Sequence, residues 1–371
     1  MKIGFDAKRA FFNASGLGNY SRDSISALSL YFPQNEYVLY TPKPEKSNPF
    51  YNTSNIIVKS PKRLYHKIFP SLWRIRGICE QLINDKIDIY HGLSNELPKG
   101  IEKTDVRTVV TIHDLIFMRY PQFYKPIDRK IYEAKSRYAV QHADVVIAVS
   151  RQTKNDLIEF FGVPEKKIEV VYQGCNNIYW QSTGEEKKNE IISKYHIPQE
   201  FMLCVGTIEK RKNFLNVIKA KQTGNINFPL VIIGRPTVYF KKIKAYIDHY
   251  RIDNIFFIHE VIPNDLPAFY QMAKIFIYPS LFEGFGIPIL EALTSKTPVI
   301  TSKDGCFAEV GGKSSVYIDP ENIEELTNAI KTLLEDPSLR DKMIIDGYVH
   351  AQQFKHDRIA KNIMAVYEKL M

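Results

Sequence analysis

The sequence predicts an α/β chain built from two successive doubly wound domains. Three observations carry this. Short β-branched runs alternate with longer stretches of helical spacing from end to end. The runs are continuously apolar, as parallel strands covered on both faces must be. The series breaks off near Val170 and then starts again. At 371 residues the chain suits two domains of ordinary size, and 44% hydrophobic with 25% charged residues suffices for two buried cores.

In the first series KIGFDA, EYVLYT, IDIYHG, RTVVTI and DVVIAVS are the expected strands, with helical spacing over 19–32, 72–85 and 128–142. In the second the strands are FMLCVGT, PLVIIG, NIFFI, KIFIYPS, TPVITS and SSVYIDP. Helices are expected near 212–222, 240–251, 265–272, 288–295 and 322–335. YQGCNNIYWQSTGEE is the expected linker, so the domains divide as 1–172 and 173–352.

The formal charge of +9 is uneven. From Lys46 to Cys79 there are seven Lys or Arg and no Asp or Glu, so the rest is nearly balanced. A pI near 9.1 is then no sign of nucleic-acid binding, and the basic segment lacks regular aromatic interleaving. Cys79, Cys175, Cys204 and Cys306 lack paired spacing, which argues against a disulfide scaffold or a zinc ribbon. The opening MKIGFDAKRA is a strand carrying Asp6 rather than a signal peptide, and no apolar run is long enough to cross a bilayer. The expected compartment is the cytoplasm, where the sequons at Asn13 and Asn52 carry no glycan.

Ligands of doubly wound sheets bind beyond the carboxyl ends of the strands. Four stretches occupy such places. In NASGLGNYSRD, Gly16 and Gly18 let backbone approach a ligand and a helix from Asn19 aims amides at it; the alternative is a plain strand–helix turn. A dinucleotide fingerprint would need a glycine at Ser21 and an acid ending the second strand, which counts against a dehydrogenase. In TIHDLIF, His113 can hydrogen-bond a substrate hydroxyl, or be tied structurally to a loop carbonyl. In VGTIEKRKN, Arg211 and Lys212 beside helix amides form a diphosphate site, or else a solvated basic turn.

The fourth stretch is SLFEGFGIPILEA. Glu283 and Glu291 stand eight positions apart around Gly284 and Gly286, with Pro288 suited to the first turn of a helix. Glu291 alone could merely complement a helix dipole, but Glu283 precedes the helix. Carboxylates accept strong hydrogen bonds from vicinal hydroxyls. Amides flanked by carboxylates fit a phosphate flanked by two polyols, the plan of a nucleotide sugar.

On these residues the chain resembles the retaining GT-B glycosyltransferases of family 4, which include many mannosyltransferases. The likeness covers nearly the whole chain, and Glu283-x7-Glu291 is its most specific element. It implies two Rossmann-like domains around a cleft, an acceptor-side domain 1–172, a donor domain 173–352 and a final helix in 353–371 crossing back. It also implies that Glu283 contacts the donor hexose and Glu291 the ribose, while Lys212 and Arg211 hold the diphosphate. Phe285, Gly286 and Ile287 offer backbone amides, Gly16 and Gly18 line the phosphate loop, His113 sits beside the reacting sugar, and Val261 lies near the base. Two departures stand out. Thr207 replaces a second donor arginine, for which Arg211 would compensate, and Cys306-Phe307-Ala308 precedes Glu309 where relatives often carry proline.

The resulting expectation is a retaining hexosyltransferase, with mannose from GDP-mannose favoured over UDP-sugars and a glycan or lipid-linked acceptor. No Asp-x-Asp clamp exists in the chain, so no metal or other cofactor is expected. Rival readings are a nucleotide-sugar 2-epimerase, which would release free nucleoside diphosphate with no acceptor modified, and a non-catalytic sensor that never turns the donor over. The basic stretch 59–76 is read as docking on an anionic membrane surface, with Tyr65, Phe69 and Trp73 at headgroup depth. The competing reading puts Leu72, Ile75, Cys79, Leu82 and Ile83 in the core and leaves Arg74 and Arg76 solvated.

Overall fold

The computed structural model describes residues 1–13, 16–43, 50 and 53–371. Ala14 and Ser15 of the first glycine motif, Lys46 of the basic segment and Asn52 of the second sequon lie outside them. The chain divides into two compact units, Met1–Gly174 with Phe354–Met371, and Cys175–Gln353.

Unit 1 holds a parallel sheet of seven strands: β1 (Lys2–Asp6), β2 (Glu36–Tyr40), β3 (Ile56–Lys59), β4 (Ile89–Gly92), β5 (Arg107–Ile112), β6 (Val145–Ala148) and β7 (Ile168–Val170). Their order is β3-β2-β1-β4-β5-β6-β7, so the winding reverses between β1 and β4. Ile3 of β1 lies between Tyr37 of β2 and Ile89 of β4. Successive residues of one strand feed opposite cores: Val109 joins Ile3, Phe5 and Leu39, while Val110 joins Val38, Tyr90 and Leu82. Burial on both faces explains why these strands are written as unbroken apolar runs. The helix His356–Glu368 lays Ile359, Ile363, Met364 and Tyr367 on the first of these cores.

Unit 2 holds six parallel strands: β8 (Phe201–Val205), β9 (Leu230–Ile233), β10 (Ile255–Ile258), β11 (Ala273–Tyr278), β12 (Val299–Ser302) and β13 (Val316–Ile318). The order β10-β9-β8-β11-β12-β13 reverses between β8 and β11. A crevice for ligands forms outside the strand carboxyl ends at such a reversal. Here the loops after β8 and β11 meet.

Several elements depart from expectation. A helix Lys8–Phe12 follows β1 directly, and the next helix begins at Gly16 rather than Asn19. The helix Arg151–Phe161 was not foreseen although Ser150 caps it, its Oγ accepting from Thr153 N at 3.0 Å, and Gly162 ends it at φ +64°. The helix Pro337–Ala351 is capped in the same way by Asp336. The supposed linker is partly structured: Asn177–Trp180 form a 3-10 turn with Tyr179 buried, and the helix Glu185–Tyr195 opens before the stretch ends.

The largest correction concerns 72–85. The chain there runs through Pro70–Leu72, a π-helical turn Trp73–Gly77, and Ile78–Asn84. The wider turn rotates the inward face. Trp73, Ile78, Cys79 and Leu82 are buried, whereas Leu72, Ile75 and Ile83 are exposed. Trp73 therefore cannot sit at headgroup depth, and Arg74 is not solvated: its Nη2 lies 2.5 Å from Asp6 Oδ2 and 3.4 Å from Glu96 Oε2. Among the described residues no helix is long and apolar enough to cross a membrane.

Candidate functional site

After β8 the chain turns at Gly206, whose φ of +144° suits glycine. Gly234, after β9, packs so closely on it that a Cβ would stand 1.8 Å from Gly206 O. The turn Lys210–Lys212 then leads, through Asn213 at φ +59°, into the helix Phe214–Thr223. This places Arg211 and Lys212 over the reversal point. From the other side, the segment after β11 is stitched to them: Leu281 N donates to Arg211 O at 2.9 Å, and Arg211 Nη1 to Phe282 O at 2.8 Å.

Glu283 is where both sides converge. Its Oε1 lies 2.6 Å from Arg211 Nη1 and 2.6 Å from Lys212 Nζ, and accepts the Ser280 hydroxyl at 2.5 Å. Lys212 Nζ also reaches the Tyr278 hydroxyl at 2.5 Å, and Arg211 Nη2 pairs with Glu209 at 2.6 Å. Burial would raise the Glu283 carboxyl, but Arg211 and Lys212 outweigh it and hold the group at about 2. Burial lowers the Lys212 ammonium, with Glu283 pulling it back up and Arg211 pushing it further down. Burial works against the Arg211 charge too, yet Glu283 and Glu209 raise its pKa above the ordinary guanidinium value. The Cys306 thiol, buried beneath the loop, donates to Phe285 O at 3.0 Å and to Glu283 O at 3.3 Å.

Glu291 projects from the helix Ile287–Thr294, which starts at Gly286 (φ +103°) with Pro288 in its first turn. Its Oε2 accepts the Tyr270 hydroxyl at 2.7 Å, and the Tyr270 ring is buried edge-on against Phe276 at 5.1 Å. Phe285 and Gly286 are buried and Ile287 is partly buried. Thr207 is half-buried and its carbonyl accepts Glu209 N at 2.9 Å. Val261 lies half-buried beyond β10, the edge strand, two places from β8 in the sheet.

Three further candidates, Gly16, Gly18 and His113, belong to unit 1. His113 follows β5 with both ring nitrogens engaged: Nε2 donates to Leu93 O at 2.8 Å and Nδ1 faces Gln173 Nε2 at 3.2 Å. The carbonyl fixes the tautomer. Burial depresses the ring to about 4, so the imidazole is neutral. The loop-carbonyl alternative is thus the one its geometry realises. A Cβ on Gly18 would fall 1.8 Å from Asn13 O, so chain packing alone requires glycine there, while Gly16 faces open space.

Residues 187–350 match the family described as glycosyl transferases group 1, and residues 24–177 match glycosyltransferase family 4. O-antigen chain mannosyltransferase B of Escherichia coli is 30% identical over 76% of this chain and 74% of its own length. The chain belongs to glycosyltransferase family 4. O-antigen chain mannosyltransferase RfbU of Salmonella typhimurium is 29% identical, over 62% of this chain and 61% of that protein. Among solved structures, sucrose-phosphate synthase from Thermosynechococcus elongatus superposes with a TM-score of 0.79 at 18% identity, covering 100% of this chain and 99% of that one. Anabaena HepE, solved in complex with UDP and glucose, gives 0.76 at 16% identity, covering 100% of both chains. The fold is GT-B.

In this family 4 chain the structure brings together Arg211, Lys212 and Glu283, which the sequence had assigned to different parts of a ligand. Reading by motif missed Tyr278, the last residue of β11, and Ser280, two places beyond it in YPSLFEG, where the strand-end rule applies. It passed over Glu209 inside a quoted motif. Tyr270 left no signal: an aromatic on an amphipathic helix reads as core. Among the described residues, no three His, Cys, Asp or Glu gather as a metal site.

Proposed function

We propose that this glycosyltransferase moves a hexose, mannose favoured, from a nucleotide-diphosphate sugar to a glycan or lipid-linked acceptor. The setting would be synthesis of a cell-surface polysaccharide, at the cytoplasmic side. The observation that carries the reading is the convergence of Arg211 and Lys212 on Glu283 at the reversal point of unit 2. Cations held there by backbone and carboxylate are preorganised for a leaving diphosphate, and such fixed charge is worth most where water is excluded. The mannosyltransferase relatives favour mannose, hence GDP-mannose over UDP-sugars. HepE, with UDP and glucose bound, supports a nucleotide sugar as donor class.

Unit 2 would take the donor and unit 1 the acceptor. Lys212 and Arg211 neutralise the departing diphosphate in place of a metal, Glu291 takes the ribose, and Glu283 orients the hexose. Amides of Phe285, Gly286 and Ile287 complete that end, with Thr207 and Val261 as further lining. The transition state is oxocarbenium-like, and the acceptor enters on the face the diphosphate leaves, with retention. Glu283 is pinned between two cations and is poorly placed to attack carbon, so it and His113 position rather than bond.

A thermal-shift panel of nucleotide sugars tests this, since a binder of the folded state stabilises by RT ln(1 + [L]/Kd). GDP-mannose should raise the melting temperature more than UDP-sugars do, and the product anomer should match the donor by NMR. Donor consumed with no glycan modified would point to an epimerase, and binding without turnover to a sensor.

A further inference from the structure

Besides Arg211, the residues after β12 also hold the loop 280–286. Ser302, which ends that strand, donates from its hydroxyl to Ser280 O at 2.7 Å. The chain then turns at Gly305 (φ +82°) and enters the helix Phe307–Gly311, leaving Cys306 fully buried beneath the loop. Phe307 anchors that helix, its buried ring edge-on to Tyr278 at 6.3 Å. The Cys306 thiol reaches Phe285 O at 3.0 Å and Glu283 O at 3.3 Å. A thiol has one proton, so two carbonyls share it.

Both carbonyls belong to peptides whose next residue is glycine, 283–284 and 285–286. A peptide unit turns over by rotating ψ of the residue before it and φ of the residue after it. Where the second residue lacks a Cβ, sterics hardly oppose that rotation. Gly286 uses the freedom, at φ +103°. Among the described residues every peptide bond is trans, so the carbonyl and N–H of one unit point opposite ways. A donor beneath the two carbonyls therefore turns the Gly284 and Gly286 N–H groups to the other face of the loop. Gly286 is buried, and its N–H meets no acceptor among the described residues. A buried amide normally has one.

We infer that Cys306 is a positioning residue of the donor site. Its thiol locks the 283–284 and 285–286 peptides, so that the Gly286 amide stays aimed at the donor hexose and Glu283 stays between Arg211 and Lys212. Cys306 itself touches no ligand. The inference rests on the proposed donor reading, which assigns the hexose to this end of the site. The competing role is packing alone. Alanine and serine separate the two, because serine is alanine with one hydroxyl donor added.

The infrared S–H stretch, which absorbs where little else in a protein does, reads the thiol bond directly. Cys204 is the internal reference, being buried and without a hydrogen-bond partner among the described residues. Subtracting the spectra of Cys306→Ser and Cys204→Ala assigns the two bands. The Cys306 band should lie at the lower frequency, and GDP-mannose should shift it while leaving the Cys204 band in place. Cys306→Ala should release GDP from GDP-mannose about tenfold or more slowly, the scale of a small misplacement of reacting groups. Its affinity for bare GDP should be unchanged, since the thiol lies at the hexose end. Cys306→Ser should recover most of the rate. A Cys306 band level with that of Cys204 overturns the inference, as does wild-type turnover in Cys306→Ala. So does a Cys306→Ser variant as slow as Cys306→Ala, which would leave packing as the whole role. If no nucleotide sugar raises the wild-type melting temperature, the donor reading fails first, and a low-frequency Cys306 band then marks a lock that serves structure only.

Discussion

Lys212 Nζ stands 2.6 Å from Glu283 Oε1, the same oxygen that Arg211 Nη1 approaches at 2.6 Å. With Glu209 on the other Arg211 nitrogen, two cations face two carboxylates and their formal charges cancel. The cationic pair is thus closed by its own acids. An incoming diphosphate must compete with Glu283 for both cations, so donor binding and the position of Glu283 are coupled.

Glu283→Gln should therefore separate binding from transfer. It leaves two largely buried cations without their shared anion, which costs about 3 kcal/mol of stability when one partner of a buried pair is removed. Pyrophosphate should restore more melting temperature to this variant than it adds to the wild type. Calorimetry should find the bare nucleoside diphosphate bound at least as tightly, with transfer lost. Weaker binding of the diphosphate would contradict the competition.

Glu291→Ala should weaken the bare nucleoside diphosphate by roughly 1.5–3 kcal/mol, the value of a hydrogen bond to a charged group. Tyr270→Phe, which removes the hydroxyl at 2.7 Å from Glu291 Oε2, should cost less, about 1 kcal/mol. The same titration decides both. Equal weakening by Glu291→Ala and Glu283→Ala would end the division of labour between the two glutamates.

Lys212→Ala should cut turnover ~100-fold or more, as other losses of preorganised charge do. Activity of the wild type should survive EDTA, because the chain has no Asp-x-Asp pair and the proposed charge neutralisation is done by Lys212 and Arg211. Inactivation by EDTA that manganese reverses would assign that task to a metal.

Acid should destabilise the protein in two stages. Burial holds His113 at about 4 and His91 at about 3, against 6.5 for an ordinary imidazole. Their folded pKa values are depressed, so the unfolded chain binds more protons as pH falls below 6.5. The stability they contribute is complete above 6.5 and is lost downward through that window. Glu283, held at about 2 against 4.5, adds a second loss between those values. His91 bridges Tyr367 at 2.6 Å and Thr111 at 2.8 Å, and His91→Gln should flatten the upper stage of a melting-temperature profile. A wild-type profile level from pH 6.5 to 4.5 would rule the first stage out.

The sequence by itself determined what depends on local pattern. A strand buried on both faces must be an unbroken β-branched run, so nearly all strands of both sheets could be read in order. The exceptions, β3 and β7, are short edge strands with little buried side-chain pattern to announce them. Glycines and charges just past strand ends were legible for the same reason, which is how Arg211, Lys212, Glu283 and Glu291 were found. Tertiary structure alone decided which of them touch. Lys212 and Glu283 are 71 positions apart and meet only because the sheet reverses between β8 and β11. Tyr270 reaches Glu291 across two helices, and His113 spends its ring on Leu93 and Gln173. The register of 72–85 was also beyond a periodicity of 3.6, because burying Trp73 is satisfied by one wide turn that no local pattern encodes. Periodicity reports which face is buried. Partners are set by where the chain returns.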